Sequence, residues 1–260
     1  MLFLISPAKT LDYHTPVPEA ILAEATRPQY AERAAELIEL LRPQSPAQIA
    51  ALMDLSDPLA TLNVARYAAW SGRHTGKNSK PAALAFAGDV YDGLQATTLS
   101  ADELHWAQQH LVILSGLYGV LRPLDRLQPY RLEMGTALRT RHGRDLYAYW
   151  GDTIAAHLNR LQRGPRTPVV VNLASQEYSR AALRPVLKAR VVECVFEDWK
   201  DGSYKIISFF AKRARGAMAR FAIRNRIDAP AALTGFDADG YAFDAAASGA
   251  DRLVFRRRLA

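Results

Sequence analysis

Chemistry-bearing side chains in this chain follow short apolar runs. Residues 2 to 5 run into Ser6, Lys9 and Thr10, and residues 83 to 87 into Asp89 and Tyr91. Residues 112 to 114 lead to Ser115, Tyr118, Arg122, Tyr130, Arg131 and Glu133, and residues 169 to 171 to Asn172, Ser175 and Tyr178. Ligands of open α/β sheets bind outside the carboxyl ends of the strands, so exits sharing one edge would gather these groups into a cleft. Such a set suits a nucleobase or nucleotide: tyrosines stack on a flat ring, Lys and Arg hold phosphate, and Asn172 can read a base edge. Asp89 or Glu133 could serve as general base, and Lys9 or Arg122 could stabilise developing negative charge. The set fixes no reaction, so whether the protein is an enzyme stays open.

The glycines of the 112–135 stretch sharpen this expectation. Gly116 and Gly119 follow a strand and lack a Cβ, which would let backbone approach a ligand closely. The plainer alternative is a shaped loop, with Arg122 paired to Asp125 and Tyr130 in the core.

The elements that must position these residues point to a mixed α/β fold. Val-rich runs separated by helical patterns indicate a largely parallel central sheet covered on both faces, in one domain spanning 1–260. Periodicity predicts a helix over 28–41, ended by Pro43. Ser45 and then Ser56 or Asp57 would cap two short helices within 46–70, a helix-hairpin-helix-like pair. That unit can grip DNA phosphates, although it lacks the usual hairpin glycines and carries Asp54 and Asp57; an ordinary helical hairpin is the alternative. A basic loop covers 70–81, Ser100 and Glu103 form a capping box, and a single helix is expected over 145–162. Asp201-Gly202 marks a hairpin within 191–209, and residues 241–255 an edge pair. A basic amphipathic helix over 210–226 carries Lys212 and Arg215 beside an apolar stripe of Phe210, Ala214, Met218 and Phe221.

Composition narrows the function classes. Among 260 residues, 49% hydrophobic, no apolar run approaches the roughly 20 needed to span a bilayer, and the start is too briefly apolar for a signal peptide. The chain is therefore expected to be cytoplasmic, to begin at or next to Met1 and to have no membrane partner. The lone Cys194 excludes an internal disulfide and fits a reducing compartment, and the scattered histidines predict neither a metal centre nor a cofactor. The net charge is +7; residues 200–260 hold twelve Lys or Arg against six Asp or Glu, so the excess lies in the last quarter and favours a polyanion partner.

At the blocks LISPAKTLDY, FAGDVYDGL, QQHLVILSGLYGVLRPLDRLQPYRLEMG, LYAYWGD, VVNLASQEY and KIISFFAKRARGAMARF, the chain resembles the YaaA family, also known as the DUF328 group. The likeness covers nearly the whole chain. It implies resistance to peroxide stress, in which members limit unincorporated iron and the oxidative damage that it promotes. It also implies double-stranded or structured DNA as partner, bound through a positive cleft carried here by Lys9, Arg122, Arg131, Lys212 and Arg215 and through a helix-hairpin-helix at 46–70. No histidine, cysteine or carboxylate cage for iron is evident, so an effect on iron would be indirect. An enzyme acting on a flipped or free nucleobase, with Asp89, Tyr130, Glu133 and Asn172 lining the pocket, is the alternative.

Overall fold

The computed structural model describes residues 1–164 and 167–258. Among them, one eight-stranded sheet organises the molecule. Its centre is Leu2–Ile5, buried at every position and paired in parallel with Leu111–Ser115 on one side and Val169–Leu173 on the other. Val169–Leu173 runs parallel to Arg190–Lys200, which runs parallel to Arg252–Arg257. Three short antiparallel strands complete it: Gly119–Leu121 turns back on Leu111–Ser115, Ser203–Lys205 on Arg190–Lys200, and Ala242–Phe243 on Arg252–Arg257. The fold is mixed α/β with a largely parallel sheet flanked by helices. The unbroken apolar runs in the sequence have this cause, because a strand covered on both faces has no solvent side to leave polar.

Capping chemistry acts as the sequence predicts at two of three helix starts, while Ser56 stands at the N-cap of Asp57–Ala69 without a side-chain cap hydrogen bond. Ser45 and Gln48 form a capping box opening Pro46–Met53, and Ser100 and Glu103 another opening Ala101–His110. Pro46–Met53 and Asp57–Ala69 form a helical hairpin whose turn has Asp54 at φ 51°. Ala31–Leu41 buries Ala31, Ala34, Leu37, Ile38 and Leu41, the spacing of one helix face.

Three expectations are corrected. Residues 83 to 87 are no strand of the main sheet: Ala82–Ala85 is one helical turn, and Phe86–Ala87 pairs outside the sheet with Thr10–Leu11. Alanine tolerates either state, and the backbone N–H groups of Ala82 and Ala83 are drawn to the carbonyls of Asp125 and Pro123 instead of a ladder. The helix at 145–162 breaks at Gly151, φ 47°, into Leu146–Trp150 and Thr153–Leu161. Gly116 and Gly119 make way for the protein itself, not for a ligand: a Cβ on Gly116 would sit 2.2 Å from the Leu132 carbonyl oxygen, and one on Gly119 2.7 Å from the Trp150 ring.

The basic helix is Ser208–Arg224, and it buries Ala214 and Met218 as its stripe predicts, while Phe210 and Phe221 stay half-buried. It crosses the short helix Asp89–Leu94 with backbone against backbone. A Cβ on Gly216 would lie 1.7 Å from the Val90 carbonyl oxygen, and one on Gly93 2.1 Å from that of Arg213. Only glycine at both positions allows this approach.

Candidate functional site

Three exits of the sheet lie side by side, because Leu2–Ile5 is flanked in register by Leu111–Ser115 and Val169–Leu173. Beyond this edge lies a cleft of about 360 Å³. The first exit supplies Ser6 and Lys9, the third Ser175, Glu177 and Tyr178, and the long segment after the second delivers Tyr130, Arg131 and Glu133. Asp89 at the start of its short helix and Lys212 and Arg215 on the basic helix form the opposite wall.

The exits are tied together at their roots. The backbone N–H of Ser175 donates to Ser6 Oγ at 2.9 Å, and the Ser6 hydroxyl lies 3.3 Å from that of Ser175. Tyr91 is buried behind the first exit, its hydroxyl donating to the Ser6 carbonyl at 3.2 Å. Tyr130 and Ser115 share a hydrogen bond of 2.6 Å, and Ser115 Oγ accepts from the Tyr118 backbone N–H at 2.9 Å. Burial pushes the phenols of Tyr130 and Tyr178 well above their ordinary range, so both stay protonated, and both line the cleft while remaining nearly buried.

Electrostatics divide the cleft in two. On one side Glu133 is held by both neighbours: Lys9 Nζ lies 2.9 Å from its Oε2, and Arg131 places Nη2 and Nε 3.0 and 3.2 Å from its Oε1. Glu177 accepts from the Gly135 backbone N–H at 2.8 Å. On the other side Asp89 and Lys212 are only loosely joined, at 4.0 Å. Arg215 has no carboxylate within ion-pair distance among the described residues, and burial draws its guanidinium pKa down. An arginine stays charged even so. It is a withdrawn cation facing open volume.

Five expected site residues are not cleft walls. Arg122 is engaged by Asp125, which accepts from the Arg122 backbone N–H at 2.8 Å and lies 3.7 Å from its guanidinium. The nearer acidic partner in sequence captures it. Tyr118 is fully buried and accepts from Trp70 Nε1 at 2.9 Å, while Ser115 and Tyr91 support the walls from behind. Asn172 is buried, its Oδ1 accepting from the Ala174 N–H at 3.1 Å, so it shapes the strand's exit and reads no ligand edge. Sequence spacing does not single out Glu177 or Gly88, whose φ of 138° turns the chain into the cleft wall. A glycine before an acidic helix start was the available signal for the last.

Among the described residues no three His, Cys, Asp or Glu side chains are grouped as metal ligands, and no helix is long and apolar enough to cross a membrane. Cys194 is buried in the sheet, its thiol pushed up to about 12 by burial and the nearby charge of Glu193.

The family model for peroxide stress protein YaaA matches residues 1–247. The chain belongs to that family. Similar full-length relatives carry the name UPF0246 protein: one from Leptothrix cholodnii is 65% identical over 260 residues, covering all of both chains. Others from Paracidovorax citrulli and Variovorax paradoxus are each 62% identical, covering 99% and 100% of this chain and the same shares of their own. Membership in the YaaA family associates the chain with peroxide stress.

Proposed function

We propose that this protein binds DNA during peroxide stress and shields it from iron-promoted oxidation, taking a nucleotide of the bound strand into the cleft. The observation that carries the reading is Arg215, a mostly buried cation with no carboxylate within ion-pair distance among the described residues, lining the same cavity as Lys212 and Tyr130. A buried charge is stabilised only by an opposite charge or good hydrogen bonds, and a phosphate supplies both. The helical hairpin is the weaker candidate for phosphate contact, since Asp54 and Asp57 stand at its turn and at the start of its second helix.

Fluorescence anisotropy with a labelled duplex across a salt series tests the reading. Log affinity should fall with log salt by about 0.9 for each phosphate neutralised. Arg215→Met should weaken binding about 10-fold, or about 1.4 kcal/mol, with an unchanged unfolding midpoint. A flat salt series, or full affinity in the Arg215 variant, sinks it.

A second reading, an enzyme acting on a flipped or free nucleobase, is favoured by Asp89, a carboxylate lining the cleft that among the described residues has only the 4.0 Å contact to Lys212 to hold it. Asp89→Asn separates the two: a base-processing enzyme loses single-turnover product while keeping DNA affinity, whereas a binder forms no product with either protein.

A further inference from the structure

A second hollow lies on the helix Asp57–Ala69, beside the loop that follows it. This groove of about 330 Å³ is walled by Leu62, Ala65, Ala69, Trp70 and Pro129. Its volume falls within the roughly 300–1,000 Å³ of small-molecule sites. The apolar strip continues outward, for Leu59 and Leu62, three apart on one helix face, are 40% and 44% exposed.

The polar groups at this groove are not equivalent. Gln128 is spent on Ser71, donating to its carbonyl at 2.6 Å and accepting from its N–H at 3.1 Å. Asn78 is spent on its own loop, donating to the Arg73 carbonyl at 2.8 Å and accepting from the Thr75 N–H at 2.8 Å. Arg66 is different. Its guanidinium makes one long hydrogen bond, 3.3 Å to Asn63 Oδ1, and no carboxylate lies within ion-pair distance among the described residues. Burial draws its pKa down, and the positive charge of Arg131 acts in the same direction. Arg66 lines the groove, and most of its donors make no hydrogen bond among the described residues.

We propose that this groove binds a small amphiphilic carboxylate, its acyl or aryl tail on Leu62, Ala69, Trp70 and Pro129 and its head group forked on Arg66. A guanidinium matches a planar carboxylate with two parallel hydrogen bonds, and no second cation lines the groove to match a dianion. The tail follows from walls that offer no other unspent polar partner. This site is separate from the cleft and stands whether or not the protein binds DNA.

Calorimetric titration of the full chain with decanoate, kept below the concentration at which it aggregates, tests the proposal against decanol. Decanoate should saturate one site, with decanol at least about 10-fold weaker, the loss that a charge-assisted hydrogen bond pair implies. Arg66→Leu keeps an apolar stem and should reduce decanoate to the level of decanol. Arg66→Lys keeps the charge without the fork and should fall between, a check that holds if the leucine variant does not fold. Ala65→Trp should fill the groove and remove both ligands. Equal affinity for decanoate and decanol, full affinity in Arg66→Lys, or no saturable decanoate binding would overturn it.

Discussion

The far end of the sheet and the cleft are both rich in arginine, and they use it oppositely. At the sheet's end Arg256 lies 2.9 Å from Glu197 and 2.8 Å from Asp244, and Arg252 joins Glu197 at 3.6 Å. Arg257 is buried against Asp198 at 2.7 Å, its guanidinium over the rings of Tyr241 and Phe210, while the Tyr241 hydroxyl donates to the same carboxylate. On the basic helix Arg213 is claimed by Asp239 at 3.0 Å and Arg224 by Glu103 at 3.5 Å. Arg215, on that same helix, has no carboxylate within ion-pair distance among the described residues, and Glu193 acts on it only from farther away. The basic excess of the last quarter therefore belongs mostly to the fold, and pairing, not net charge, separates a cation that holds structure from one that can meet a ligand.

Removing one side of the buried pair should produce the largest effect. Asp198→Ala leaves Arg257 buried without its anion and should cost about 3–5 kcal/mol in chemical denaturation. A cost no greater than that of removing exposed Asp251 would erase the contrast between knot and surface. Next comes a cation the fold refuses. Burial, with the charges of Arg160 and Arg122, pushes His157 down to about 4. Unfolded chains take up that proton near pH 6.5, so stability should fall as pH drops from there to about 4 and then level off as far as this group is concerned. His157→Gln should flatten that part of a pH series of unfolding midpoints; an unchanged slope would assign it to other groups.

Within the cleft, Glu133 occupies Lys9 and Arg131 much as a phosphate would. Glu133→Gln should release both and tighten duplex binding about threefold, or roughly 0.6 kcal/mol, with a steeper salt slope. Weaker binding in that variant would mean that the carboxylate positions those cations for the ligand. The smallest effect is expected from Arg252→Ala at the exposed rim of the far cluster, within about 0.5 kcal/mol in stability and without effect on binding.

Much of the scaffold was legible in the residues, because period and caps are local. Apolar runs at 2–5, 112–114 and 169–171 mark the parallel strands, and Ser45 and Ser100 mark helix starts. Residues 83 to 87 were not legible, since alanine fits either state and carbonyls some forty residues away decide between them. In the cleft, residue type and position after a strand found Ser6, Lys9, Tyr130, Arg131, Glu133, Ser175 and Tyr178. The same rule overreached at Asn172 and Arg122, whose short-range partners Ala174 and Asp125 claim them first. It had no means of distinguishing Arg215 from Arg213, two residues apart on one helix, because the difference lies in Asp239 arriving from a distant segment.

The crossing at Gly93 and Gly216 fixes more than a packing angle. With no side chain between the two backbones, the wall bearing Asp89 and the wall bearing Lys212 and Arg215 are fused into one block, and neither can slide without the other. The facing rim rests on a second such approach, the Leu132 carbonyl against Gly116, so both sides of the cleft are set by backbone contacts that only glycine permits.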